Sequence, residues 1–334
     1  MQFKSYFTIL FLIFAVGCSD SSVQIQSIHG RTMGTSYSIS WPATASVDAQ
    51  GIQSRVDLAL VEVNRQMSTY DAQSEISQFN QAHAPHEMNI SDGFATVLLA
   101  AAELNYLSDG YFDPTVGPLV NLWGFGPDRR PNKVPTQEQV AETMSNVGWS
   151  GVKLSSGVLS KSVDRYVDLS AIAKGYGVDV VASLLEEHGI HSYLVEIGGE
   201  IRSKGVKALG QPWRIAIESP QYDARQAQKI IALGDMGVAT SGDYRNYYVV
   251  DGQAFSHTID PFTGYPSRHT LASVTVVDDT CMRADGLATA MLVMGAEKAA
   301  QLAEKEGLAA FFIVRQADGK FVESTSTAWT RLFH

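Results

Sequence analysis

The sequence predicts an α+β fold: two sheet-plus-helix subdomains with mixed, largely antiparallel sheets, facing each other across a cleft. Three observations carry this expectation. Long segments with apolar residues at helical spacing alternate with short runs rich in β-branched and aromatic residues. Some of those runs pair through Ser-Gly or Asp-Gly turns, as hairpins do. The order of helices and strands lacks the regular βαβ rhythm of a parallel sheet.

Each element follows from local pattern. Ser36 to Trp41 alternates as a strand, directly after Met33-Gly34-Thr35. Ile52, Val56, Leu60, Val63 and Met67 mark one face of a helix. A second helix runs from Ser91 to Leu107, with Phe94, Val97, Leu98, Ala101 and Leu104 inward, and stops at Ser108-Asp109-Gly110. Thr136 with Gln139 makes a capping box for a short helix carrying Val140, Met144 and Val147. Val152 to Leu154 and Val158 to Lys161 read as a hairpin. A helix from Ala171 to His188 closes at Gly189 and leads into strand Tyr193 to Ile197. Trp213 to Glu218, Lys229 to Leu233, Tyr247 to Val250 and Ala254 to Ile259 read as strands, the last two joined by Asp251-Gly252. Leu271 to Val277 precedes a helix from Thr280 onward, and Ala309 to Val314 with Thr327 to Phe333 are expected to close the sheet.

The N-terminus reads as a leader. Met-Gln-Phe-Lys precedes an almost wholly apolar run from Tyr6 to Val16, whose helical rise of ~16 Å is about half a hydrocarbon core. Ala15-Val16-Gly17-Cys18 resembles the lipobox of bacterial lipoproteins, which implies lipidation at Cys18. The expected organisation is a signal peptide over 1–17, a flexible tether over 18–27 and one folded domain over 28–334. An ordinary cleaved signal peptide is the alternative. With Cys18 committed to lipid, Cys281 has no disulfide partner and reads as a small buried apolar residue.

Charge narrows the function classes. The whole chain has 25 basic and 35 acidic side chains, a net charge of −10. Such a surface disfavours nucleic acid and anionic lipid, so an anionic substrate requires local compensation from a metal or a placed lysine. No phosphate-binding glycine loop is present: Gly175-Tyr176-Gly177 is followed by Val180 where a dinucleotide fingerprint needs glycine. His-Glu-x-x-His and Gly-x-Ser-x-Gly patterns are also missing from the sequence.

Asp285 and Thr289, four apart, share a helix face beside the apolar stripe of Ala284, Leu287, Ala288 and Met291. A carboxylate and a hydroxyl stacked against a buried surface offer hard oxygens to a small divalent cation; an ordinary solvent-facing or capping aspartate is the plainer alternative. Lys174, in the first turn of its helix, opposes the helix dipole and calls for an anionic partner. Asp168 reads either as a helix cap or as a ligand-binding carboxylate. His257, near Asp260, is a candidate proton acceptor or a structural histidine. Tyr70 and Tyr111 are candidate stacking rings or rim aromatics.

Together, Met33-Gly34-Thr35, Ser68-Thr69-Tyr70, Phe112-Asp113-Pro114-Thr115, Trp123-Gly124-Phe125-Gly126, Asp168-Leu169 with Ala173-Lys174-Gly175-Tyr176, Gly198-Gly199, Ser241-Gly242-Asp243-Tyr244, Ser256-His257 with Asp260-Pro261 and Thr263-Gly264, and Ala284-Asp285 with Ala288-Thr289 fall in family order. The chain resembles the FAD:protein FMN transferases, the ApbE flavin transferase family, from about Ile28 to its C-terminus. That resemblance implies a flavin-binding cleft and Mg²⁺-dependent transfer of FMN from FAD to a threonine hydroxyl of a partner protein, with release of AMP. It implies FAD contacts at Met33, Tyr70, Tyr111, Phe112, Asp113, Asp168, Lys174 and the backbone near Ile259. It implies Mg²⁺ on the main-chain oxygen of Ala171 and the side chains of Asp285 and Thr289. Under this reading His257, oriented by Asp260, takes the acceptor proton, and Lys174 assists the AMP leaving group. The implied acceptors are subunits of the sodium-translocating NADH:quinone reductase or the Rnf complex. The implied location is the periplasmic face of the inner membrane, through the N-terminal lipid, with the outer membrane an alternative. Two rival functions share the same pocket: an FAD pyrophosphatase and a non-enzymatic FAD-binding lipoprotein.

Overall fold

A computed structural model describes residues 24–43, 47–127, 133–221, 226–244 and 246–333. The expected leader and the lipidation site at Cys18 lie outside the described residues; the folded domain begins earlier than expected, because Ile25 to Ser27 of the expected tether pair with Pro42 to Ser40 in the sheet.

The chain opens with the hairpin β1 (Ile25–Thr32) and β2 (Thr35–Pro42), then α1 (Ala49–Met67), α2 (Glu75–Gln81), β3 (His86–Asn89) and α3 (Asp92–Leu107). Helices α4 (Gly117–Leu122) and α5 (Gln137–Met144) lead to β4 (Val152–Ser155), β5 (Val158–Lys161) and α6 (Ala173–Glu187). Strands β6 (Tyr193–Ile197), β7 (Glu200–Lys204), β8 (Trp213–Glu218), β9 (Ala227–Leu233), β10 (Gly237–Gly242), β11 (Tyr247–Val250) and β12 (Gln253–Ser256) follow. The remainder is β13 (Leu271–Asp278), α7 (Cys281–Met294), α8 (Ala296–Glu306), β14 (Ala309–Arg315), β15 (Phe321–Thr325) and α9 (Thr327–Phe333).

Eight strands form one sheet in the order β1-β2-β6-β7-β10-β13-β14-β15. Every neighbouring pair in it is antiparallel. The sheet falls into two halves, stitched between β7 and β10 by only two residue pairs, Gly237 with Arg202 and Val238 with Ile201. Helices α1 and α6 bury Val56, Leu60, Val178 and Val181 against Tyr37, Ile39 and Val195 of the first half. Helices α3, α7 and α8 cover one face of the second, where Val274 and Val276 of β13 meet Leu287 and Met291. The other face of that half packs on the β8–β9 ribbon and on Trp329. Covered on both sides, β13 is a nearly continuous apolar run. A smaller cluster of Leu119, Trp123, Val140, Tyr248, Phe255 and Ile259 joins α4 and α5 to the β11–β12 hairpin.

The α+β class, the antiparallel pairing and most expected elements are present, including the Thr136–Gln139 capping box. One expected strand is a helix. Thr327 to Phe333 forms α9: Ser326 accepts from the amide of Trp329 at 3.2 Å, and Trp329 and Phe333, four apart, pack with tilted rings whose centroids are 4.6 Å apart. The apolar spacing there is helical, and β15 closes the sheet instead. The strand expected to reach Ile259 ends at Ser256, which places His257 to Asp260 on a loop.

Candidate functional site

The expected site residues converge on one cavity of about 1180 Å³. Met33, Tyr70, Tyr111, Phe112, Asp113, Asp168, Ala171, Lys174, His257, Ile259, Asp285 and Thr289 all line it. Asp260 does not.

Strand-end turns and helix crossings deliver these groups. Met33 sits in the two-residue β1–β2 turn with φ 48°, followed by Gly34 at φ 72°. Two positive φ values are what a type I′ hairpin needs, and they cost a non-glycine residue strain. Phe112 is held through its backbone, its amide donating to Ser108 Oγ at 2.9 Å and its carbonyl accepting from Asn105 Nδ2 at 2.8 Å. Two aspartates flank the cavity in matching turns. Asp113 Oδ1 accepts from the amide and hydroxyl of Thr115 at 2.7 and 2.6 Å. Asp168 Oδ1 accepts from the amide and hydroxyl of Ser170 at 2.9 and 2.6 Å. Asp168 is therefore a turn residue, not the cap of α6, which starts from Ile172 without a side-chain cap. Burial pushes the Asp113 carboxyl up, against the pull of Thr115.

The charged centre lies where α6 crosses α7. Gly175 on α6 passes so close that a Cβ there would stand 2.4 Å from the carbonyl oxygen of Cys281. Its amide donates to Asp285 Oδ2 at 3.0 Å. Asp179, one turn further along α6, accepts from the amides of Cys281 and Met282 at 3.0 and 2.8 Å. A carboxylate at a helix N-terminus is favourable, so α6 caps the helix that carries Asp285. Lys174 finds the anionic partners its position calls for: Nζ donates to Glu200 at 2.8 Å and lies 4.0 Å from Asp285 Oδ1. Burial opposes the lysine charge, but Asp285 and Glu200 outweigh it and hold its pKa up. Asp285 is buried, and burial pushes its carboxyl up to about 7 despite Lys174. Thr289 Oγ1 lies 3.1 Å from Ser241 Oγ of β10.

His257 faces the same cavity. Its Nδ1 lies 3.1 Å from the carbonyl oxygen of Asn246. A carbonyl only accepts, so Nδ1 carries the hydrogen and Nε2 is left as the basic nitrogen. Burial and the Lys174 charge push its pKa below the ordinary 6.5, against Asn246 and Asp243. Asp260 does not orient this ring. Ile259 and Pro261 face the cavity, whereas Asp260 faces a separate one beside Thr263 and Arg268. Its Oδ1 accepts from the amide of Phe262 at 2.8 Å. Nearness in sequence misled there, since adjacent loop residues point to opposite sides. Asn246, Asp179 and Glu200 were not anticipated. Glu200 alone had a visible signal, an acid directly after Gly198-Gly199, the pair that ends the apolar strand Tyr193 to Ile197.

The donor set suits a hard cation. Among the described residues no cluster of three or more His, Cys, Asp or Glu side chains is placed to hold a metal. The expected donors are the Asp285 carboxylate, the Thr289 hydroxyl and the Ala171 backbone, all on residues that line the cavity, a set with room for phosphate and water oxygens. That is the usual manner of Mg²⁺. The fold and this site define an α+β protein with one large cleft whose floor carries Lys174, Glu200 and Asp285. The chain matches the ApbE family over residues 33–312. It is 47% identical to the FAD:protein FMN transferase of Vibrio cholerae, over 95% of both chains. It is 45% identical to that of Haemophilus influenzae, over 95% of this chain and 94% of the other. Among solved structures, the flavin transferase ApbE from Vibrio cholerae superposes with a TM-score of 0.86 at 46% identity, covering 93% of this chain and 99% of that one. The ApbE protein of Thermotoga maritima gives 0.83 at 28% identity, covering 93% and 100%. This protein belongs to the ApbE family.

Proposed function

We propose that this protein transfers FMN from FAD to a threonine hydroxyl of a target protein, with Mg²⁺ bound at Asp285, Thr289 and the Ala171 carbonyl. The observation that carries this reading is the convergence of Lys174, Asp285, Thr289 and His257 on a single cavity. Relatives bearing the FAD:protein FMN transferase name along nearly their whole length support it.

In balanced form, the acceptor hydroxyl oxygen bonds to the FMN phosphorus, the pyrophosphate P–O bond breaks, and AMP leaves with the bond's electron pair. His257 Nε2 takes the hydroxyl proton. Lys174 places a positive charge beside the pyrophosphate, where charge develops on the departing phosphate. Tyr70 and Tyr111 offer ring faces or edges to planar groups. Asp113 and Asp168 each keep one carboxylate oxygen beyond their turn bonds for donors on the nucleotide. When bound, Mg²⁺ would supply charge neutralisation on the phosphoryl oxygens.

Incubation with FAD, Mg²⁺ and a threonine-bearing acceptor peptide tests the reading by mass spectrometry. A flavinylated peptide with AMP is expected. Free FMN with AMP identifies a pyrophosphatase, and unchanged FAD identifies a carrier; either result refutes transfer. We further propose that the natural acceptors are subunits of the sodium-translocating NADH:quinone reductase or the Rnf complex. The enzyme would reach them from a lipid anchor at Cys18 on the periplasmic face. The leader pattern at residues 1–18 supports that placement.

His257→Ala should leave FAD affinity unchanged and lower the transfer rate by about 10²–10⁴-fold. A wild-type rate in this variant removes histidine from the mechanism. Because the His257 pKa is depressed, the ring stays neutral as pH falls to its ordinary value of 6.5. The acid limb of the rate profile should therefore lie below 6.5 and vanish in His257→Ala. An acid limb above 6.5 that His257→Ala preserves contradicts this assignment.

A further inference from the structure

Glu200 meets Lys174 through a hydrogen bond and is, after Asp285, the most buried acid lining the cavity. It opens β7 directly after Gly198 and Gly199, whose φ values of 66° and 109° turn the chain sharply into the cleft. The residue is 5% exposed. One carboxylate oxygen accepts from Lys174 at 2.8 Å. The other is buried and has no hydrogen-bond partner, while the residue as a whole lines the cavity. A buried carboxyl oxygen left without a partner costs stability, which points to a role beyond packing.

Two carboxylates thus compete for one lysine, and the distances show the outcome: 2.8 Å to Glu200 and 4.0 Å to Asp285. We infer that Glu200 is a positioning residue that holds Lys174 off Asp285 and so keeps the Asp285 carboxylate open to a divalent cation.

Lysine is a compact charge on a flexible stem, able to move by the ångström or so that separates it from Asp285. Were Glu200 neutral, Asp285 would become its strongest partner. The ammonium would then occupy the carboxylate lobe a cation needs, and two positive charges would contend for one site. With Glu200 ionised, its charge offsets Lys174, and the Asp285 charge is left for the cation. This inference rests on the reading that Asp285 and Thr289 hold Mg²⁺.

The test titrates Mg²⁺ into the full chain with FAD present and no acceptor, and reads the shift in unfolding temperature. Wild type should show a saturable shift. Glu200→Gln, matched in shape, should raise the Mg²⁺ midpoint by about tenfold or more, with FAD affinity retained. With FAD saturating for each variant, adding Lys174→Met to Glu200→Gln should give a midpoint within about threefold of Lys174→Met alone, because no lysine remains to occupy Asp285. Glu200→Asp keeps the charge but shortens the reach and should fall between; it replaces Glu200→Gln if that variant does not fold. A wild-type midpoint in Glu200→Gln or Glu200→Asp overturns the proposal, as does a double variant no better than Glu200→Gln. A wild-type protein without any Mg²⁺ shift overturns the metal reading itself, and this inference with it.

Discussion

Replacing Asp285 by asparagine is expected to abolish Mg²⁺-dependent transfer, with a loss of about 10³-fold or more, because several kcal/mol of phosphoryl charge stabilisation go with the cation. The same variant should behave unusually in stability. The Asp285 carboxyl is pushed up to about 7 in the folded chain from a reference of 3.8. A raised carboxyl pKa means that the folded state favours the protonated form. Its stabilising contribution is complete below 3.8 and is lost as pH rises through about 7. Without cation, wild type should therefore lose stability on going from pH 4 to pH 8, by a few kcal/mol at most after allowance for the nearby lysine. Asparagine, neutral throughout, escapes that loss, and its amide oxygen still accepts from Gly175. Above pH 7 the metal-free Asp285→Asn protein should unfold at a higher temperature than metal-free wild type, while its Mg²⁺-induced shift disappears. Thermal melts with chelator and with Mg²⁺, at pH 5 and pH 8, check both halves. Undiminished turnover in the variant would show that the cation does not sit at Asp285.

The second large effect concerns Gly175→Ala. The added carbon would lie 2.4 Å from the Cys281 carbonyl oxygen and 2.7 Å from both the Cys281 carbonyl carbon and the Met282 Cα. All three are backbone atoms, so no side-chain rotation relieves the clash. The helices α6 and α7 must part. Overpacking of this kind costs about 1–3 kcal/mol, and here the upper end applies because the obstacle is main chain. Separation also stretches the Gly175 amide bond to Asp285 and moves Lys174 relative to that carboxylate. The variant should melt several degrees lower and transfer FMN at least about tenfold more slowly even where it is folded, since small misplacements of catalytic groups are expensive. A melting temperature and rate equal to wild type would show that the close crossing is dispensable.

Much of this architecture was legible in the sequence, and the reasons differ by element. The pair Asp285 and Thr289 was readable because helical periodicity places residues four apart on one face, and α7 is a helix. Lys174 was readable as a cation seeking an anion because it stands at the wrong end of a helix for its charge. Its partner Glu200 was not identified, since it comes from a strand paired far along the chain and only tertiary structure brings the two together. Asp260 was misread as the partner of His257: a loop has no fixed period, so proximity in number does not set direction. The segment after Ser326 was misread as a strand because Trp329 and Phe333 suit either element. The hydroxyl cap and the four-residue spacing decided for helix. Strands β1, β3, β7, β10 and β15 and helices α2, α4 and α8 went unassigned, being short or having apolar patterns diluted by polar residues.

Asp179 gives the site one property that neither Lys174 nor Asp285 has alone. By gripping the first amides of α7 from the side of α6, it makes two helices, far apart in the chain, into a single rigid unit. The two stretches of backbone that carry the charged groups are thereby tied together, while the Lys174 side chain keeps its own freedom. A substitution anywhere along that junction is felt by both at once, and any inherited change in the lysine's setting is passed to the aspartate as well.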